Sequence, residues 1–415
     1  MEPPVHPHSL SGAGAAGPSP RERSEARAGL YVHVPFCEKR CTYCDFSTGL
    51  MSRAVVELWL GALERECELR EAEAGSLAFS SIFFGGGTPS ALAEPDFTRV
   101  ARALARHFTL LPGAEWTLEA NPESVRPGRL AAWREAGVNR LSMGVQSFED
   151  SELASLGRLH DAARPAEAVR LAREAGFTRL SLDLMFGYPG HTAAAWERTL
   201  ERALALGTGH LSAYAFIPEP GTPLGNEVLT GRAKTAGADR DAAMYARLVT
   251  RCADAGLACY ETSNFARAGE EARHNLVYWL RRPYLALGPS AHGFVRGRRY
   301  ANHRDLAHWA RGVGQGRPES SSERETPEAA AREALMLGLR LSCGVALSDH
   351  PRPVAEALSL HYGPAVQAAL EEGRLEGGAE AFRIPARHRF VADEIVAWVE
   401  ARASRSELTA RAPLA

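Results

Sequence analysis

Excess basic charge is missing from this chain: 415 residues carry 48 Lys and Arg against 50 Asp and Glu, a formal net charge of −2. That balance argues against bulk binding to nucleic acid or to an anionic membrane, since both need a basic surplus. Lysine is almost absent, with Lys39 and Lys234 the two exceptions in an otherwise arginine-based set. No run approaches the roughly 20 apolar residues of a membrane span, so no transmembrane segment is expected. The first residues also lack an apolar stretch of signal-peptide length, and the expectation is a cytoplasmic protein whose thiols stay reduced. Seven cysteines are an odd count for a disulfide framework. Four of them, Cys67, Cys252, Cys259 and Cys343, are scattered, and three are clustered.

What is present is an ordinary globular composition, 45% apolar and 24% charged, long enough for two or three domains. Residues 1–28, rich in Pro, Ala, Gly, Ser and Arg, read as a disordered tail. From Gly29 onward short apolar runs alternate with amphipathic stretches. Strands are predicted at Leu30–Pro35, Ser80–Phe84, Glu115–Glu119, Arg140–Val145, Arg179–Met185, His210–Phe216 and Cys259–Glu261. Helices are predicted between them, at Ala54–Glu71, Asp96–Phe108, Gly128–Ala136, Arg164–Ala175, Ala193–Leu206 and Ala242–Ala255.

A local echo marks the repeating unit. Glu135-Ala-Gly-Val-Asn-Arg-Leu-Ser-Met143 resembles Glu174-Ala-Gly-Phe-Thr-Arg-Leu-Ser-Leu182, and Asp254-Ala-Gly-Leu257 repeats the Ala-Gly step. Glycine just past a helix is the expected C′ residue, so each copy signals a helix stop and a strand start. About six βα units in a row predict an α/β fold with a parallel sheet, open and doubly wound or curved into a barrel or part-barrel. In either form the site is built from polar groups at the C-terminal strand ends. Gly316–Thr326, rich in Gly, Pro, Ser and Glu, reads as a linker. Beyond it a helix at Ala329–Leu341 is predicted, then two shorter ones near Pro353–Leu360 and Pro364–Glu372. A strand at Phe382–Ile384 and a helix at Asp393–Ala403 complete a small, mainly helical domain.

The clustered thiols are Cys37-Glu-Lys-Arg-Cys41-Thr-Tyr-Cys44, just after the first strand. Thiolates are soft ligands suited to zinc or to iron–sulfur clusters. Zinc usually takes paired knuckles with four ligands, and no second knuckle follows. Three close thiols instead suit three irons of a cubane [4Fe–4S] cluster, whose fourth iron keeps an open position, the mark of a reactive centre. Three unrelated buried cysteines, or a zinc site, are the competing readings.

This Cys-x3-Cys-x2-Cys run, within Tyr31-Val-His-Val-Pro-Phe-Cys37 and Cys44-Asp-Phe46, resembles the radical S-adenosylmethionine (SAM) superfamily. The match is to its branch of oxygen-independent coproporphyrinogen III oxidases and haem chaperones, and it runs from Leu30 to about Trp398. The resemblance implies a partial (β/α)6 TIM-type barrel over residues 29–265, with a [4Fe–4S] cluster on Cys37, Cys41 and Cys44. It implies a connecting region over 266–320 and the branch's C-terminal domain over 321–415. It also implies SAM, chelated to the open iron and cleaved by cluster electron transfer to a 5′-deoxyadenosyl radical.

Gly85-Gly-Gly-Thr-Pro-Ser90 follows the second strand. Consecutive glycines let backbone N–H groups approach a charged ligand, and Thr88 adds a hydroxyl, though a plain tight turn reads the same way. In this position the run resembles the family motif at the methionyl end of SAM. The next strands end in Glu119-Ala-Asn-Pro-Glu123, Gly144-Val-Gln-Ser147 and Asp183-Leu-Met-Phe-Gly-Tyr-Pro-Gly190. One polar strand-end residue is usually a helix cap. Glu119, Gln146 and Asp183 on successive strands suit the polar groups of a nucleoside better. By resemblance Tyr31, Tyr43, Gly86, Gly87, Thr88, Glu119, Gln146, Arg158, Asp183 and Ala215 match SAM-contacting positions.

His274-Asn-Leu-Val-Tyr-Trp279 is the second distinctive stretch. Histidine is a common axial ligand of haem iron, and nearby aromatics can flank a porphyrin; a core histidine among packed aromatics is the competing reading. The stretch resembles the HNxxYW motif of the chaperone branch, which implies His274, Asn275, Tyr278 and Trp279 as haem-binding residues. His292 and Cys343 are further candidates. Phe46 stands where the oxidases carry a fourth cysteine, the segment before the cluster is short, and the oxidases lack HNxxYW. All three favour a chaperone, with haem as cargo, a haem-accepting protein and an electron donor for the cluster as partners, and no nucleic acid. Anaerobic oxidation of coproporphyrinogen III is the alternative activity, and a plain zinc-binding interaction protein is a third.

Overall fold

The computed structural model describes residues 27–46 and 48–410. The tail expected over residues 1–28 falls outside them up to residue 26, and its last two residues already belong to the first strand. Six βα units follow. Their strands are β1 (Arg27–Val34), β2 (Ala78–Gly86), β3 (Thr109–Ala120), β4 (Arg140–Gln146), β5 (Arg179–Phe186) and β6 (His210–Ala215). The helices are α1 (Arg53–Ala74), α2 (Glu94–His107), α3 (Pro127–Glu135), α4 (Asp150–Ser155), α5 (Arg164–Glu174), α6 (Ala193–Ala205), α7 (Pro223–Leu229) and α8 (Ala238–Asp254). Six further strands complete the sheet's edges: β7 (Ala258–Glu261) with β8 (Asn264–Ala266) on one side, and β9 (Tyr284–Leu287), β10 (His292–Val295), β11 (Arg298–Asn302) and β12 (Glu319–Arg324) on the other.

Across the twelve-stranded sheet the order is β12-β11-β10-β9-β1-β2-β3-β4-β5-β6-β8-β7. From β9 to β6 every pair is parallel, as a βα repeat requires. The strand period of two sorts the side chains. On β1, Leu30, Val32 and Val34 are fully buried under the helices, packing with Val56, Trp59, Leu60 and Leu63 of α1 in the main core. The alternate residues Gly29, Tyr31 and His33 take the other face, beside Ser81, Phe83 and Gly85 of β2 in register. Farther along, Glu119 lies opposite Ser142, Gly144 opposite Asp183, and Asp183 opposite Ser212. A polar inner face thus runs across four strands, β3 to β6.

Helix α9 (Arg273–Trp279) fills the lower part of that inner face. Its backbone starts on a carboxylate, His274 N–H donating to Glu115 at 3.2 Å. Gly29 makes room for it, since a Cβ there would stand 3.0 Å from the His274 ring.

The C-terminal unit has its own core around α11 (Pro327–Gly338), α12 (Arg352–Glu371) and α13 (Ala392–Ala410), which follow α10 (Leu306–Gly314) of the main body. Two expectations change here. Residues 316–326 are no linker: β12 pairs antiparallel with β11, and Glu319 binds Arg70 at 2.6 Å and Arg298 at 2.7 Å. The break placed at 320/321 therefore falls inside a strand of the main sheet. The two helices expected around Pro364 are one, because the buried stripe Val354, Ala357, Leu358, Ala365, Val366 and Ala369 runs straight through the proline. Among the described residues no helix is long and apolar enough to cross a membrane.

Candidate functional site

The cysteine loop leaves β1 at the C-terminal end of the sheet, where the helix of each βα unit begins and the strands leave unpaired groups. Its backbone is tied at three points: Thr42 N–H donates to Leu156 at 3.2 Å, the Thr42 hydroxyl to Ser155 at 3.0 Å, and Leu224 N–H to Thr42 at 2.9 Å. Tyr43 packs beneath it against the apolar group of Leu156, Met185, Tyr188, Phe216 and Leu224. Burial pushes the Cys37 and Cys44 thiols up, and the charge on Cys41 pushes both in the same direction. Hydrogen bonds from Thr88 and Thr48 oppose this at Cys37, and the backbone of Phe46 does so at Cys44.

Among the described residues no three His, Cys, Asp or Glu side chains converge tightly enough to grip a metal ion. The donor chemistry nonetheless fits a thiolate-held cluster. Three sulfurs share one loop, Thr88 Oγ1 lies 3.4 Å from Cys37 Sγ, and the Arg158 guanidinium lies 3.4 Å from Cys41 Sγ. Donors of this kind offset the negative charge of sulfur ligands.

The glycine run works differently from the expectation. Gly87 N–H is taken by the Val34 carbonyl at 2.8 Å and Thr88 N–H by the Phe36 carbonyl at 2.6 Å, so neither amide faces a ligand. A Cβ on Gly87 would stand 2.4 Å from that Phe36 oxygen, and Gly86 has φ +107° with the His33 ring 2.6 Å from where its Cβ would be. The glycines clamp the loop onto β1 and so present Thr88 to Cys37. Gly86 N–H alone turns to a charged group, the Glu119 carboxylate.

Glu119 and Asp183 face each other across β4. Burial, then the Asp183 charge, pushes Glu119 up to about 8. Burial also raises Asp183, which accepts hydrogen bonds from Ser142 at 3.0 Å and Ser181 at 3.2 Å. Gln146 is delivered by a bulge in the β4–β5 pairing and sits at φ +67°, a left-handed conformation that a glutamine rarely takes and that recurs at binding sites. Ala215 ends β6 without a polar contribution. Asn121, which sequence reasoning passed over, binds Arg158 at 2.6 Å. Its place in the loop after Glu119 was the available signal.

On the other side of the mouth lies a cleft of about 480 Å3 lined by Tyr31, His33, Asp45, Phe46, Gly86, Tyr278, Tyr284, Ser290, His292 and Arg304. Of the four haem candidates on α9, Tyr278 alone reaches it. His274 is fully buried, stacked on Phe83 at 5.3 Å, with Ser81 2.9 Å from Nδ1 and Tyr278 2.8 Å from Nε2. Burial drives it down to about 3, so the ring is neutral. In this arrangement it has no open nitrogen for an iron and serves as a core histidine. Trp279 lies under the Arg340 guanidinium, 5.8 Å from its ring centroid, and Asn275 is half-buried. His33 and Tyr284 were missed, although His33 shares a strand face with Tyr31, whose hydroxyl lies 3.0 Å from its Nδ1.

The family model of the radical SAM superfamily matches residues 31–203. The protein named heme chaperone HemW from Bacillus subtilis is 34% identical over 369 residues, which is 88% of this chain and 97% of that protein. Its Mycobacterium tuberculosis namesake is 35% identical over 89% of this chain and 93% of its own length. The solved structure of the coproporphyrinogen III oxidase HemN from Escherichia coli superposes with a TM-score of 0.79, at 22% identity and over 91% of each chain, a likeness of fold. Matched this closely along nearly the whole of the Bacillus and Mycobacterium proteins, the chain belongs to the HemW family of the radical SAM superfamily.

Proposed function

We propose that the protein is a haem chaperone of the cytoplasm, which carries haem in the cleft beside α9 and passes it to an acceptor protein. The observation that supports this most is the make-up of the cleft. Tyr31, Phe46, Tyr278 and Tyr284 give flat apolar walls, His292 an imidazole, and Arg304 a cation for a propionate. Its volume of about 480 Å3 falls in the ordinary range for small-molecule sites. The relatives named heme chaperones support the same reading.

In this reading Cys37, Cys41 and Cys44 hold a [4Fe–4S] cluster. Glu119, Gln146, Asp183 and Arg158 meet the polar groups of SAM, while Tyr31, Tyr43, Gly86, Gly87, Thr88 and Ala215 shape the space around it. When bound, the cluster would supply single electrons received from a donor protein. Thr88 and Arg158 hold the sulfurs in place, and Gly86 orients Glu119.

The test is an anaerobic haem titration of the reconstituted protein, with 5′-deoxyadenosine and protoporphyrinogen measured in the same samples. A saturable Soret band that weakens at least tenfold in His292→Ala is expected. No saturable band removes the chaperone reading, and SAM-dependent protoporphyrinogen formation from coproporphyrinogen would replace it with the oxidase.

A further inference from the structure

Each thiol of the Cys37–Cys44 loop meets a donor from a different part of the chain, and one donor differs in kind. Cys37 is served by the Thr88 hydroxyl and Cys44 by the Phe46 backbone, both neutral groups. Cys41 is served by Arg158, whose Nη1 donates to its Sγ at 3.4 Å. A charge-assisted donor is roughly twice as strong as a neutral one.

The position of Arg158 is built. Its Nη2 donates to Asn121 Oδ1 at 2.6 Å and to the Gly144 carbonyl at 2.5 Å. Glycine at 144 gives this contact room, since a Cβ there would stand 3.3 Å from Nη2 and 3.2 Å from Gln146 Nε2, and both side chains would have to shift. Gly157, at φ +75°, turns the chain directly before it, and a Cβ there would stand 3.3 Å from Thr42. Apart from Cys41 Sγ its hydrogen-bond partners are neutral oxygens, and among the described residues no carboxylate comes within 4.0 Å. Glu123 acts only at longer range, and its own carboxylate lies 3.2 Å from His160. The Nε–H is buried and has no partner. A desolvated cation without a counter-ion is costly to fold around unless negative charge is supplied later.

We propose that Arg158 is a redox-tuning residue, which uses its contact with Cys41 to stabilise the reduced state of the cluster and so raises its midpoint potential. This rests on the reading that the three thiols hold a [4Fe–4S] cluster. In the step concerned one electron passes from a low-potential reductant such as dithionite to the oxidised cluster. The dithionite-derived radical is oxidised, the cluster gains one negative charge, and no bond or proton changes at Arg158. Hydrogen bonds to the sulfurs and local net charge are among the levers that set such potentials.

The test is a redox titration of the anaerobically reconstituted protein without SAM, read by electron paramagnetic resonance, with iron and sulfide counted in every sample. Arg158→Gln removes the charge. It is expected to lower the reduced-to-oxidised ratio about tenfold at a fixed potential, a midpoint drop of about 59 mV for one electron. Asn121→Ala keeps the charge but removes its anchor, and the midpoint is expected to move the same way by less. An unchanged midpoint in Arg158→Gln, or in Asn121→Ala if Arg158→Gln takes up no cluster, overturns the tuning role while leaving the cluster reading intact. Wild-type protein that takes up no iron and sulfide overturns both.

Discussion

The Tyr278 hydroxyl stands 2.8 Å from Nε2 of His274, and with Ser81 on the opposite nitrogen the imidazole is closed at both ends. The motif histidine therefore supports the cleft from below, while Tyr278 passes that support on to the lining. His274→Ala removes a fully buried ring and strands the Ser81 hydroxyl, a loss of roughly 2–5 kcal/mol. Urea unfolding should show that loss. In the fraction that remains folded at low temperature, haem should still bind with unchanged stoichiometry. Abolition of haem binding in folded His274→Ala, with His292→Ala unaffected, would reverse this assignment.

A glycine in the loop before Thr88 is required by backbone packing rather than by a ligand. Gly87→Ala would place a methyl 2.4 Å from the Phe36 carbonyl, so the clamp between the loop and β1 must open. The expected result is a loss of about 3 kcal/mol or more and a fall in cluster uptake, because Thr88 moves away from Cys37. Gly49→Ala, where a Cβ meets nothing within 4 Å, is the matched control. Equal iron content in the two variants would refute the clamp.

Much of this arrangement is legible along the chain. The βα alternation announces itself because parallel strands buried under helices read as apolar runs, as in Leu30, Val32 and Val34. Glu119 and Asp183 stand out because a carboxylate at a strand end is conspicuous. What stays hidden depends on partners far away in sequence. The role of His274 is decided by Ser81, 193 residues earlier, and its backbone seat by Glu115, 159 residues earlier. Strand β12 has almost no apolar residue to give a period, so an edge held by ion pairs reads as a linker. The left-handed backbone of Gln146 comes from a bulge that exists only once β5 has paired.

Two buried groups give the stability of the ligand-free protein opposite pH slopes. Glu119 is raised to about 8, so the fold binds its proton more tightly than the unfolded chain does. Its contribution is complete below about pH 4.5 and is lost as pH rises through about 8. His274 is lowered to about 3, so its contribution is complete above about pH 6.5 and is lost as pH falls toward 3. Stability should therefore peak between about pH 4.5 and 6.5, where the two slopes cancel. Glu119→Gln should flatten the alkaline side by an amount on the order of 2–4 kcal/mol and leave the acid side alone. Denaturant midpoints from pH 5 to 9 check this, and an alkaline limb identical to wild type would mean that another group sets it.

The wall of the cleft that carries His292 is held from behind by a single carboxylate. Glu66, fully buried on α1, accepts hydrogen bonds from Gly288 N–H at 2.7 Å, Asn302 Nδ2 at 2.7 Å and Trp309 Nε1 at 3.2 Å, with Arg70 Nε at 3.7 Å. Every one of these neighbours is a donor. Glu66→Gln keeps the shape of the side chain but turns an N–H2 toward another N–H, so the smallest change is a costly one. A loss of about 2–4 kcal/mol is expected, since a buried donor is left unmatched. The effect should also be directional. Gly288 begins the turn through Ser290 to His292, so its amide should exchange with solvent faster and haem should bind more weakly, while cluster content stays unchanged. Hydrogen exchange at Gly288 alongside a haem titration separates this from general unfolding. Uniformly faster exchange throughout the main core would show that Glu66 supports the whole fold and not this wall.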